Sequence, residues 1–349
     1  MPPLPPLPPQ PDDVPFPAAD WPEARLAPDV DGDAIEAAAA RAFTPEPSDS
    51  HGETLAWAIV HRGRLVFERH AVGKGPDDTF ISWSMAKSLL HALVGVLVGE
   101  GRLDPAAPAP VPAWRAEGDP RRAITLEHLL RQTDGLDFEE VYADGIRSDV
   151  VDMLFRSGKD DVAAFAEARP LAHEPGTLWN YSSGTSNVVS AIVGRTVGSG
   201  EADTRAFLHK ALFDPIGMRS ATARFDAAGT FIGSSYVFAT ARDFARFGLL
   251  YLRDGVWDGR RLLPEGWVDH ARTITPPSRG EYGAHWWIAL HDPGIFNASG
   301  FQGQYIVVVP DRDLVLVRLG VSAPEQRVNV VGDLRRVVEA FPRLDGARS

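Results

Sequence analysis

Residues 84–101 read SMAKSLLHALVGVLVGEG, and this stretch decides the fold. After the opening Ser84-Met85-Ala86-Lys87 it is apolar almost all the way round a helical wheel, and it ends at Gly101. A helix without a polar face belongs at the centre of a domain, and a glycine just past the last turn is a common helix stop. Upstream, TLAWAIV (54–60), an Arg62-Gly63 turn and RLVFERH (64–70) read as a hairpin rich in β-branched and aromatic residues. Downstream, GQYIVVVP (303–310), a PDRD turn and DLVLVRLG (313–320) read as a second hairpin, and GDLRRVVEAF (332–341) as an amphipathic helix. Between the two lie a Pro- and Ala-rich loop at 105–120 and the helical segments ITLEHLLRQ (124–132), SGTSNVVSAIVGRTVG (183–198) and TARDFARFGLLYLRDG (240–255).

Strands at both ends with helices between them predict an α+β fold (an α/β sandwich): an antiparallel sheet built from both chain termini, flanked by helices, with an inserted, mainly helical lobe. The expected division is a proline-rich extended arm over 1–22 and one domain over 23–349. Within that domain the sheet region falls at about 50–104 and 225–345, and the lobe at about 105–224. The arm, MPPLPPLPPQPDDVPFP, has no positive charge before Arg25 and no apolar signal-peptide core. It is expected to be a disordered tail or a partner-docking segment, and the expected location of the protein is the cytoplasm.

The chain has 349 residues, 35 Lys plus Arg against 47 Asp plus Glu, and a net charge of −12. That balance argues against nucleic acid or an anionic membrane as partner, and the run Leu89–Val98, interrupted by His91, is too short to span a bilayer. With no cysteine, disulfides, thiolate metal sites and cysteine nucleophiles are all excluded. Only four lysines occur, Lys74, Lys87, Lys159 and Lys210. Lysine, unlike arginine, can lose its proton when buried.

No G-x-S-x-G, H-E-x-x-H, P-loop or dinucleotide fingerprint is present. What remains is Ser84-x-x-Lys87. Residues i and i+3 share a helix face, so the Lys87 amine can stand beside the Ser84 hydroxyl and act as its base, while the first helical turn offers free backbone N–H groups to an oxyanion. A second cluster, Trp179-Asn180-Tyr181-Ser182-Ser183-Gly184, places a tyrosine on a tight turn ahead of a helix, where its phenol can pass a proton. A third, Ala298-Ser299-Gly300-Phe301, precedes a strand, where glycine lets a substrate carbonyl approach and the Phe301 N–H can join that of Ser84 as an oxyanion donor.

In this order and at these separations the three clusters resemble the penicillin-recognising serine hydrolases, a family that takes in class C β-lactamases, D-Ala-D-Ala peptidases, carboxylesterases and 6-aminohexanoate-dimer hydrolases. The resemblance covers roughly residues 50–340. It implies Ser84 as nucleophile, Lys87 and Tyr181 as general base and acid, and Tyr142, Ser183, Trp287, Ser299 and Gly300 as substrate-binding residues. It implies neither metal nor cofactor, and a small-molecule ester or amide as substrate. The basic residue of the family's third motif is replaced here by Ala298. Loss of that carboxylate-binding charge tilts the expectation from penicillins toward esters and linear amides. A class C-like β-lactamase, a D-amino-acid peptidase and a non-catalytic sensor are the alternatives.

Overall fold

Both hairpins join one six-stranded antiparallel sheet. The computed structural model describes residues 4–44, 50–142, 145–198, 200–288 and 294–344. The strands are β1 (Glu53–His61), β2 (Arg64–His70), β3 (Trp287–Ile288), β4 (Phe296–Gly300), β5 (Gln304–Val309) and β6 (Leu314–Val321), arranged β2-β1-β6-β5-β4-β3. The seam between β1 and β6 joins the two ends of the chain, with Ala58 opposite Val317 and Ile59 opposite Leu316. The helices that frame the sheet and the site are α1 (Gly32–Ala42), α2 (Ala86–Gly99), α3 (Ser183–Val197), α4 (Ala241–Leu252) and α5 (Arg327–Glu339).

Alternate residues of the central strands feed two cores. Ala56, Ala58, Val60, Ile306, Val308, Val315 and Val317 pack with α2 and α4, whereas Trp57, Ile59, Tyr305, Val307, Leu314 and Leu316 pack with α1 and α5. Covered on both faces, these strands read as continuous apolar runs with no polar alternation. Each fully buried Val, Ile or Leu contributes about 1.5–3 kcal/mol. Gly248 lets α4 lie close on the sheet, because a Cβ there would come within 2.6 Å of Val315 and 2.8 Å of Ile306.

α2 is buried over most of its length. Its polar interruption, His91, is satisfied by the Tyr251 hydroxyl at 2.8 Å and by His270 at 3.1 Å. Burial holds His91 well below the usual histidine range, so this helix keeps a neutral ring in its core. The chain turns off the helix at Gly101, with φ +68°. Between α2 and α4 come, among others, the helices Leu126–Leu130, Asp149–Phe155, Val162–Glu167, α3 and Glu201–Leu208. Among the described residues, no helix is long and apolar enough to cross a membrane.

Two expectations need correction. The proline arm is not a loose tail from residue 4 onward: Val14 and Trp21 are buried, and Leu7 and Phe16 pack on the core. Prolines have no N–H to give and offer only their carbonyls. Two arginines of α4 and its C-terminal end answer them, Arg246 donating to Pro17 O (2.6 Å) and Ala19 O (3.1 Å), and Arg253 to Pro8 O (3.2 Å) and the Gln10 side chain (2.8 Å). The last helix begins at Arg327, five residues earlier than the amphipathic pattern suggested, because Pro324 opens a 3-10 turn that runs straight into it.

Candidate active site

Ser84 lies in a 3-10 turn, Trp83–Met85, that leads into α2. Trp83 has φ +45°, a backbone state that costs a bulky residue energy and persists only where its surroundings enforce it. The Trp83 indole donates to the Gln302 side chain at 3.3 Å and meets the Phe301 ring edge-on at 5.6 Å. Two of the sequence clusters are thereby clamped together through the residue next to the candidate nucleophile.

Lys87, one turn on, is buried. Its Nζ lies 3.1 Å from Ser84 Oγ, 3.0 Å from Ser183 Oγ and 3.0 Å from the carbonyl of Ser234. It also sits 4.9 Å from the centre of the Tyr181 ring. Burial lowers its pKa to about 8, against the charge of Glu140, which raises it. At pH 7 about a tenth of such an amine is neutral.

Tyr181 and Ser183 stand on the turn that opens α3. Ser182 caps the helix by accepting from Thr185 N at 2.9 Å. Gln132, held at φ +59°, accepts from Ser182 N at 2.6 Å and donates to Ser186 at 3.1 Å. Ser186 in turn meets His285 Nε2 at 3.1 Å, while His285 Nδ1 donates to Leu130 O at 2.8 Å. Burial drives the His285 pKa down to about 3, so the ring stays neutral. Burial, then the Glu140 charge, push the Tyr181 phenol above its ordinary range, and a hydrogen bond with Ser84 only partly offsets them. The phenol therefore keeps its proton through the range in which Lys87 loses its own.

The third cluster comes from β4. Residues Phe296 and Asn297 pair with Ile288 and Trp287 of β3, and the pairing stops before Ala298-Ser299-Gly300. A Cβ on Gly300 would lie 2.3 Å from the Ser82 carbonyl. The missing side chain thus serves the approach of the strand to the Ser84 turn and sets the Phe301 backbone beside it. Arg318, buried, holds the far side of this corner by donating to Gln302 O (3.1 Å), Gly303 O (2.8 Å), Glu53 O (3.2 Å) and the hydroxyls of Thr54 (3.2 Å) and Ser322 (2.8 Å). Burial lowers its pKa to about 10.

The structure therefore brings Ser84, Lys87, Tyr181, Ser183, Gly300 and Phe301 together. Trp287 joins them, its ring 5.1 Å from that of Tyr181, within an aromatic wall completed by Trp179 and Tyr282. Tyr142 stacks on Phe301 at 5.0 Å, with its hydroxyl on Glu140. Ser299 faces away from this cluster, toward the Arg327 guanidinium at 3.5 Å. Ala298 is buried in the core, but Arg327, exposed at the start of α5, returns a positive charge to the neighbourhood of the third cluster from a different element. Trp287, Ser299 and Arg327 border a cavity of about 200 Å³ beside the site.

Sequence reasoning named Trp179 in the second cluster without a role, and it missed Glu140, Arg318, Arg327, Tyr282 and the Ser234 carbonyl. Arg318 had a signal, a lone charge inside the run DLVLVRLG, which in a strand buried on both faces demands partners. The others stand in loops or at element ends and carry no pattern. Among the described residues, no group of three His, Asp or Glu is placed to hold a metal ion.

The Beta-lactamase family profile matches residues 39–338. The chain is 28% identical over 285 residues to the 6-aminohexanoate-dimer hydrolase of Paenarthrobacter ureafaciens, which covers 76% of this chain and 72% of that protein. A Bacillus anthracis structure provisionally named 6-aminohexanoate-dimer hydrolase superposes with a TM-score of 0.75 at 20% identity, over 97% of this chain and 91% of that one. A family VIII carboxylesterase superposes with a TM-score of 0.67 at 14% identity, over 90% and 99% respectively.

Proposed function

The chain belongs to the beta-lactamase family, and from that premise we propose that it is a serine hydrolase cleaving a carboxylic ester or linear amide through an acyl-enzyme on Ser84. The observation that carries this reading is the buried Lys87 amine, 3.1 Å from Ser84 Oγ and with its pKa lowered to about 8. A serine hydroxyl needs a neighbouring base, and here that base is a desolvated lysine.

Neutral Lys87 accepts the Ser84 proton as Oγ bonds to the substrate carbonyl carbon. The developing oxyanion rests on the N–H groups of Ser84 and Phe301. Tyr181, still a phenol, donates to the leaving oxygen or nitrogen and takes back the proton that Lys87 accepted from Ser84. A water activated by the same pair then releases the acid. The aromatic wall of Trp179, Tyr282 and Trp287 suits an apolar or extended chain.

The Arg327 guanidinium, whose charge acts on the Tyr181 phenol, favours one refinement: a linear amide whose far end bears a carboxylate, as in an oligomer of aminohexanoate. Turnover of p-nitrophenyl butyrate, aminohexanoate oligomers, D-amino-acid peptides and nitrocefin tests the reading. The ester and linear amides should be cleaved ahead of nitrocefin, and Ser84→Ala should abolish turnover. A Ser84→Ala variant with full rate would overturn it, as would preference for nitrocefin.

A further inference from the structure

Glu140 belongs to none of the three clusters, yet it touches two of the residues around the reacting hydroxyl. Its Oε2 accepts from the backbone N–H of Ser183 at 2.8 Å, and its Oε1 accepts from Ser183 Oγ at 2.7 Å and from the Tyr142 hydroxyl at 2.8 Å. Phe138 O, held by the Asn180 side chain at 3.0 Å, and Glu139 N, donating to Asp149 at 2.9 Å, fix the loop that carries it.

We infer that Glu140 is a positioning residue: by fixing the direction of the Ser183 hydrogen bond, it turns the lone pair of the Lys87 amine toward Ser84. The inference rests on the serine-hydrolase reading above. An ionised carboxylate only accepts, and a hydroxyl gives its single proton to a carboxylate in preference to an amine. Ser183 must therefore accept from Lys87. The Ser234 carbonyl, 3.0 Å away, also only accepts. A neutral amine has two N–H groups and one lone pair. With both N–H groups committed to Ser183 and Ser234, the lone pair faces the remaining neighbour, Ser84 Oγ. When the Oγ–H bond breaks, its proton joins that lone pair and the oxygen electrons are free for the carbonyl carbon. Without the carboxylate, the Ser183 proton can turn to Lys87 and occupy the lone pair instead.

The variants separate this device from a simple charge effect. In Glu140→Gln the fixed Ser183 N–H requires the amide oxygen on its side, so the amide NH₂ faces Ser183 Oγ and reverses the hydrogen bond. Glu140→Ala only frees the Ser183 hydroxyl to rotate. The groups that bear on Lys87 are Glu140, Tyr181 and the neutral His285, with Arg327 acting on Tyr181. Losing the Glu140 charge lowers the Lys87 pKa in both variants and moves the rise in rate to lower pH.

The readout is the rate of Ser84 labelling by a fluorophosphonate, followed by intact mass, together with kcat for p-nitrophenyl butyrate on the alkaline plateau where Lys87 is neutral. Glu140→Gln should lose about tenfold to a hundredfold of plateau rate and Glu140→Ala less. In a Ser183→Ala background, Glu140→Gln should cost nothing further. Equal plateau losses for Gln and Ala, or a Gln penalty that survives in Ser183→Ala, would overturn the inference. Thermal unfolding and a Glu140→Asp variant that regains rate guard against misfolding. Wild-type protein that is not labelled at Ser84 would instead overturn the serine-hydrolase reading itself.

Discussion

The two walls of the cleft are built on opposite plans. The α2–α3 wall is a closed set of side-chain hydrogen bonds: Ser84, Lys87, Ser183 and Glu140 each sit within about 3 Å of the next. The β4 wall depends on backbone and the absence of a side chain, with Gly300 lying against Ser82 O and Arg318 gripping the carbonyls behind Phe301. One wall controls where protons go. The other controls where a carbonyl oxygen can sit. Changes to the first should therefore remove chemistry while sparing the fold, and changes to the second should move geometry and stability together.

Lys87→Met is the largest expected effect. It removes the base from a site that can hold an apolar chain of similar length, so ester turnover should fall by at least about a thousandfold. Removing a buried amine that has no direct carboxylate partner should leave the thermal midpoint unchanged or raise it. A large loss of stability would contradict the contrast between the walls. Steady-state kinetics and a melting curve check both halves.

Gly300→Val probes the other wall. Its Cβ would fall 2.3 Å from Ser82 O, so β4 must retreat from the Ser84 turn. A displacement of about 1 Å at an oxyanion donor costs about a hundredfold in rate, and the overpacking costs about 1–3 kcal/mol. Here kcat and the urea midpoint should fall together. A variant with normal stability and normal kcat would break the comparison.

The smallest effect sharpens the assignment of the base. Rate requires neutral Lys87, whose pKa is lowered to about 8. Hence kcat/KM for a neutral ester should rise about tenfold per pH unit below that value and level off above it. The Tyr181 phenol, pushed upward by burial, should add no inflection between pH 6 and 9. A midpoint near the ordinary lysine range would place Lys87 in water and not in the core.

Legibility followed chain distance. Ser84 and Lys87 are one helical turn apart, and a lysine on a helix with no polar face could only be buried. Strands β1, β5 and β6 were equally plain, because strands covered on both faces are apolar almost throughout. Glu140 was not legible: it lies 43 residues from Ser183, in a loop whose sequence, FEEVY, carries no period or motif. The need for space at Gly300 was visible, but its neighbour Ser82 O was not, because that carbonyl belongs to another element. The arm read as loose for a similar reason, since Arg246 and Arg253, which hold it, lie at least 227 residues away.

From residue order alone came everything governed by local periodicity and short spacing: the buried helix, the apolar strands, the pairing of a serine with a lysine, and the tyrosine turn. The tertiary structure alone decided the directions of the hydrogen bonds, the contact of Gly300 with the Ser84 turn, and the return of a positive charge through Arg327 where Ala298 carries none. Periodicity is written in neighbouring residues, whereas the polarity of a buried hydrogen-bond chain depends on which distant groups close it.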